Sequence, residues 1–168
     1  MGEVTSRQRQ VVESLQEILD ILANRRESEL ARLTKKLREA QRGLTELAQK
    51  EESLQNQMLE AAQQPESPQR SQLQSLSAEQ ERLKEETDRM ARQLERLMAA
   101  QAAQSTRLAA TKMGQASQSA GQGSAKEASA HAHQAKEALQ EAGRQLAQQQ
   151  RQNDAELVME QLAQLRDT

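Results

Sequence analysis

Apolar residues recur at alternating steps of three and four positions along nearly the whole chain, and clustered proline or glycine interrupts the pattern at two places only. That spacing keeps side chains on one face of a 3.6-residue helix, and a strand, which repeats every two residues, cannot hold it. From Val4 to Gln63 there is no proline and one glycine, Gly43. Val4, Val11, Leu15, Ile18 and Leu22 mark the stripe; Leu30, Leu33, Leu37, Ala40, Leu44, Leu47, Leu54, Met58 and Ala61 resume it in a shifted phase. The eleven-residue step from Leu19 to Leu30 reads as a stutter, which unwinds a supercoil locally without breaking the helix. At about 1.5 Å per residue, a helix of this length is a rod of roughly 90 Å.

The segment "QQPESPQRS" ends this helix, because Pro65 and Pro68 lack a backbone donor and fix their own φ, with Ser67 and Ser71 as candidate caps. Leu73, Leu76, Gln80, Leu83, Thr87, Met90, Leu94, Leu97, Gln101, Gln104 and Leu108 then continue at three and four residue steps, so a second long helix is expected. "SAGQG" supplies the next stop, with Gly121 and Gly123 free to adopt a left-handed cap. The following "SAKE" has the form of a capping box, Ser124 to Glu127. Ala128, Ala135, Leu139, Ala142, Leu146, Leu157, Val158, Leu162 and Leu165 carry a third helix.

The expected fold is therefore all-α: an elongated up-down-up three-helix antiparallel coiled-coil bundle. Its helices fall at about 4–63, 70–120 and 124–166, in a single domain over 1–168 that forms part of a longer chain. Folded this way, the alanines ending the second helix (Ala99, Ala102, Ala109, Ala116, Ala120) meet those starting the third (Ala125, Ala128, Ala132, Ala135, Ala138). Val11, Val12, Leu15, Ile18, Leu19, Ile21 and Leu22 of the first helix are expected at the same end, large side chains against small ones.

Composition narrows the function. The chain has no Phe, Tyr, Trp or Cys, and its bulky apolar residues are mainly the 21 leucines, so it cannot line a deep aromatic pocket or form a disulfide. Its 23 basic and 25 acidic residues are interspersed, which gives no footprint for nucleic acid. No apolar run is long enough to cross a membrane, and the start lacks the apolar core of a signal peptide. Membrane contact is then expected only through an anchor outside this chain, or weakly. The opening "MGEVTS" does fit a myristoylation pattern, with Gly2 as acceptor and Ser6 in place, but the pattern is short and no polybasic patch accompanies it, so no lipidation is expected.

Candidate chemistry is sparse. His131 and His133, two apart on a helix, point roughly 200° away from each other and cannot share a metal ion. Glu51 and Glu52, and Glu85, Glu86 and Asp88, have Lys50, Lys84 and Arg89 beside them and read as solvated helix faces. Gly121 and Gly123 are followed by no G-K-[ST] and form no phosphate loop. No catalytic, cofactor-binding or metal residue is therefore assigned, and no enzyme activity, cofactor or small-molecule substrate is expected. Gln80, Thr87, Gln101, Gln104 and Asn153 fall on the seams, where polar residues are either partly exposed or set register at some cost in stability.

The runs "KMGQASQSAGQGSAKEASAHAHQAKEALQEAGRQL" and "QRQVVESLQEILDIL" resemble the coiled-coil regions of large bacterial envelope proteins, notably planctomycete-type and DUF4175-like uncharacterised proteins. Lys112, Met113, Ala116, Gly121, Gly123, Ala128, Ala135, Ala138, Leu139 and Leu146 carry the resemblance, which covers about half the chain. It implies a helical segment of a membrane-anchored envelope protein and assigns no functional residue. The expectation is a non-enzymatic structural spacer or protein-interaction coiled coil, whose partner is another protein or a second copy of the chain. The alternative is an amphipathic-helix protein that binds lipid at a membrane surface.

Overall fold

A computed structural model describes the backbone of residues 2–166; the side chains of 2–8, 67, 68, 157, 160, 161 and 163–166 lie outside the description. The fold is all-α, with four helices among the described residues: α1 (Gly2–Ala61), α2 (Glu66–Arg96), α3 (Ala100–Gly121) and α4 (Ala125–Arg166). Close contacts divide the chain into two units, Met1–Lys36 and Leu37–Thr168.

Within Leu37–Thr168 the cross-helix partners fix the topology. The α1 residues Gly43, Lys50 and Glu51 face Met90, Glu86 and Gln80 of α2, so the two helices run antiparallel. Ser77 and Glu95 of α2 meet Ser117 and Arg107 of α3. Ser105 of α3 donates to Gln145 of α4 at 2.9 Å. The ring closes where Gln41, Glu52 and Gln55 of α1 meet Gly143, Lys136 and His133 of α4. Each helix thus runs opposite to both neighbours, an up-down-up-down four-helix bundle.

The expected three-helix count is corrected at one place. The single helix read over 70–120 is two helices that turn back on each other at Leu97, Met98 and Ala99. The turn is a Schellman cap: the Met98 amide donates to the Glu95 carbonyl at 3.0 Å, and the Ala99 amide donates to the Leu94 carbonyl at 2.9 Å. Met98 takes the left-handed conformation this cap demands, with φ 59°. The turn after α3 repeats the pattern with glycine in the same role: Gly123, at φ 85°, donates to Ala120, and Ser124 donates to Ser119. The glycine turn was legible in the sequence because glycine announces the conformation; the methionine turn was hidden because methionine ordinarily extends a helix.

Replacing Met98 by glycine is a direct test of that cap. A side chain with a Cβ pays about 1–2 kcal/mol in the left-handed region. Met98 is 84 % exposed, so no buried apolar surface is lost with it. Met98→Gly is expected to stabilise the bundle by about 1 kcal/mol, after glycine's greater freedom in the unfolded chain is set against the relieved strain. Urea unfolding reads the change, and a midpoint that stays put or falls would show that Met98 is not strained.

The first turn differs from expectation in its start. α2 begins at Glu66, and its N-cap is Pro65 at φ −59° and ψ 153°, with no side-chain cap bond. Ser67 and Pro68 therefore lie inside the first turn, where a missing amide costs nothing because the first four amides have no intrahelical acceptor.

Burial follows the seams as far as the turns allow. Leu37, Ala40, Leu44, Leu47, Leu54, Met58 and Ala61 of α1 are buried, as are Leu73, Leu76, Leu83, Leu94 and Leu97 of α2. Past Met98 the extrapolated seam fails: Gln101, Gln104 and Leu108 are exposed, and Ala102, Ala103, Thr106, Ala109, Ala110, Met113, Ala116 and Ala120 face the core. These alanines lie opposite Ala125, Ala128, Ala132, Ala135, Ala138 and Ala142 of α4, all buried. The two alanine faces do meet, as expected.

The large residues at the start of the first helix, expected beside them, are not buried. Val11, Val12, Leu15, Ile18, Leu19, Ile21 and Leu22, all in Met1–Lys36, are exposed. Within Leu37–Thr168 the alanine face of α3 is turned toward the interior of the bundle. Val158 and Leu162 of α4 are also exposed, Asn153 is half-buried, and the side chains of Val4, Leu157 and Leu165 lie outside the described residues.

Candidate functional site

Among the described ionisable groups, the one whose environment departs furthest from solvent is Glu51. Counting four residues on from Leu47 and three back from Leu54 lands on it, so helix geometry drives its side chain into the bundle with those two leucines. Gln80 occupies the same kind of position on α2, between the buried Leu76 and Leu83. Both are 0 % exposed, and Gln80 Nε2 donates to Glu51 Oε1 and Oε2 at 2.7 Å each. Leucines lie one helical step away on either side, so the pair is a single polar layer within an apolar stack.

Burial pushes the Glu51 carboxyl up to about 8, because a carboxylate loses its hydration there; the Gln80 hydrogen bond opposes this and is the weaker effect. At neutral pH the group is thus mostly the neutral acid, which carries an O–H donor. Gln80 Oε1 is buried and has no partner among the heavy-atom contacts. A neutral Glu51 keeps one oxygen as acceptor for Gln80 Nε2 and carries a hydroxyl in the same closed layer, the chemical type of donor that Gln80 Oε1 lacks.

Its charged neighbours are engaged at the surface. Lys50 pairs with Glu86 at 2.7 Å between α1 and α2, Glu52 with Lys136 at 3.3 Å between α1 and α4, and Lys84 with Glu81 at 2.6 Å along α2. The Glu81 hydrogen bond raises the Lys84 ammonium from its ordinary value. The expectation that Glu51 belongs to a solvated face is therefore corrected, whereas Glu52, Glu85 and Glu86 are exposed as expected. The missed signal was its register: position 51 belongs to the apolar stripe, and the adjacent acid Glu52 does not.

The remaining polar seam residues are bonded locally. Thr87 Oγ1 is 2.8 Å from the Leu83 carbonyl and 3.3 Å from Met113 Sδ, and Thr106 Oγ1 donates to the Ala102 carbonyl at 2.7 Å. Ser77 and Ser117 clip α2 to α3 reciprocally, each hydroxyl donating to the other's carbonyl, at 2.8 Å and 3.0 Å. The intrahelical bonds satisfy the Thr87 and Thr106 hydroxyls, and the Ser77–Ser117 pair ties α2 to α3 in one register.

The two histidines diverge. His133 is on the surface, with Nε2 3.4 Å from Glu137 and Nδ1 3.3 Å from Gln55 Nε2. His131 is half-buried, and its Nδ1 has no partner. Among the described residues, no three His, Asp or Glu side chains stand close enough to hold a metal ion. The surface also carries an open groove between α1 and α4, where Leu44, Ala48, Leu139, Gly143 and Ala147 leave a shallow furrow. Thr45, Glu52 and Arg144 also line it, bonded to the Gln41 carbonyl, Lys136 and Glu141 respectively.

This arrangement can take up and release a proton in a sealed layer, and it can enforce pairing, since only one register of α1 on α2 sets the acid against the amide. Among the described residues no helix is long and apolar enough to cross a membrane. Compared with protein-family models, curated proteins and solved structures, the chain matches none.

Proposed function

We propose that the chain is a non-enzymatic helical module that acts as a spacer or docking surface between proteins. The observation that carries this reading is the interior of Leu37–Thr168, filled by leucine, alanine and methionine with its one perturbed ionisable group, Glu51, at 0 % exposure. A carboxyl closed off from solvent has no route to a substrate, and in this chain it serves to hold helices in register. A place in the bacterial cell envelope rests on the resemblance alone.

The lipid-binding reading draws on a different observation, the exposed stripe from Val11 to Leu22. Flotation with phosphatidylcholine and phosphatidylglycerol vesicles separates the two. The spacer reading predicts that the protein stays with the aqueous fraction and that its helicity is unchanged. Co-flotation with a gain or rearrangement of helix would replace the spacer reading with the lipid one.

A further inference from the structure

In Met1–Lys36 the seam residues Val11, Leu15, Ile18 and Leu22 are between 52 % and 58 % exposed, and the flanking Val12, Leu19 and Ile21 are exposed too. We propose that this face pairs antiparallel with the same face of a second copy of the chain. Val11 of one copy then packs on Leu22 of the other, and Leu15 on Ile18. The inference rests on the docking-surface reading and gives that surface its partner.

Two observations select this occupant. The stripe is self-complementary: reversing it about its midpoint sets a residue from each of its two seam rows opposite one from the other, as an antiparallel coiled coil requires, and every layer is apolar. The area is of the right size, since seven side chains between 52 % and 65 % exposed offer at most roughly 700 Å² per copy, inside the roughly 600–1,000 Å² per partner of a standard interface. The direction of pairing is the part that the crosslinks below decide. A lipid surface fits less well. Among the described residues of this stretch the charges are Arg9 against Glu13, Glu17 and Asp20, an acidic balance that anionic headgroups repel, and aromatic anchors are absent.

The test is sedimentation equilibrium of the full chain over about a hundredfold range of concentration. The expected result is a mass that climbs from the 18.8 kDa of one chain toward twice that value. The double variant Leu15→Lys, Ile18→Lys is expected to stay monomeric with wild-type helicity and thermal unfolding, because neither side chain is buried in the chain's own core. Direction is read with cysteines, which the native sequence lacks. When Val11→Cys and Leu22→Cys chains are mixed and oxidised with glutathione disulfide in a glutathione redox buffer, the crosslink joining position 11 to position 22 is expected to outnumber both like-with-like crosslinks. A mass that stays monomeric throughout, like-with-like crosslinks in excess, or wild-type protein that instead floats with vesicles would overturn the proposal. A monomer that keeps its folded bundle and ignores vesicles would end self-pairing and leave the spacer reading standing, so the two fail separately.

Discussion

Between about pH 5 and about pH 9, urea unfolding of the wild-type chain is expected to lose a few kcal/mol that a Glu51→Gln variant keeps. The sign follows from the direction of the shift. Glu51 is raised from 4.5 to about 8 in the fold, so between those values the folded state binds a proton that the unfolded chain has released. Its stabilising contribution is fully present below about pH 4.5, declines by about 1.4 kcal/mol per pH unit on the way up, and is gone once the pH passes through about 8. Above that, folding must bury a carboxylate at 0 % exposure with one amide donor for company. Glutamine has nearly the same shape and never ionises, and its side-chain oxygen can still accept from Gln80 Nε2. The two proteins should therefore match near pH 5 and part as pH rises, with the variant the more stable at pH 9. Other carboxylates titrate in both, so the difference between the two curves isolates position 51. Parallel curves would mean that water reaches Glu51 and that its layer is not closed.

The same residue shows how far the sequence carries the fold. The three and four residue spacing that made Leu47 and Leu54 core residues also assigns position 51 to the core, and the structure obeys the spacing rather than the side chain's polarity. Helix type and the two turns marked by Pro65 and Gly123 were legible because those residues restrict φ chemically. The turn at Met98 was not, because "RLMAAQAA" has strong helix propensity throughout and the left-handed residue is imposed by packing. Leu94 and Ala99, the carbonyl and amide partners of the cap, are both 0 % exposed, and burying them requires the chain to reverse between them. A compositional signal does mark the place. Charges crowd Glu66–Arg96, while from Leu97 to Gly123 only Arg107 and Lys112 are charged, as suits a helix that presents a broad alanine face to its neighbours.

A pair of leucines distinguishes four helices from three. Leu94 and Leu108 are two heptads apart and would be equivalent seam residues of one continuous helix, equally costly to truncate. In the four-helix bundle they are unlike: Leu94 is 0 % exposed and Leu108 is 53 % exposed. Leu94→Ala is expected to cost about 2–5 kcal/mol, the lost burial plus the cavity left in a packed interior. Leu108→Ala should stay within about 0.5 kcal/mol, with alanine's better helix propensity offsetting what little packing is lost. Chemical denaturation of the two variants side by side decides the matter, and comparable losses would restore the continuous helix and remove the Met98 turn. The asymmetry has a further consequence for the bundle. A continuous helix would place the seam of Leu108 opposite α1, where side chains are large, whereas the reversal gives α3 to α2 and α4 through Ala102, Ala109 and Ala116. Alanine faces let helices approach closely but bury little area each, so the larger side chains of α2 and the Leu37–Ala61 part of α1 must supply most of the apolar burial. That division of labour is why one leucine at the end of α2 should matter so much more than its heptad equivalent on α3.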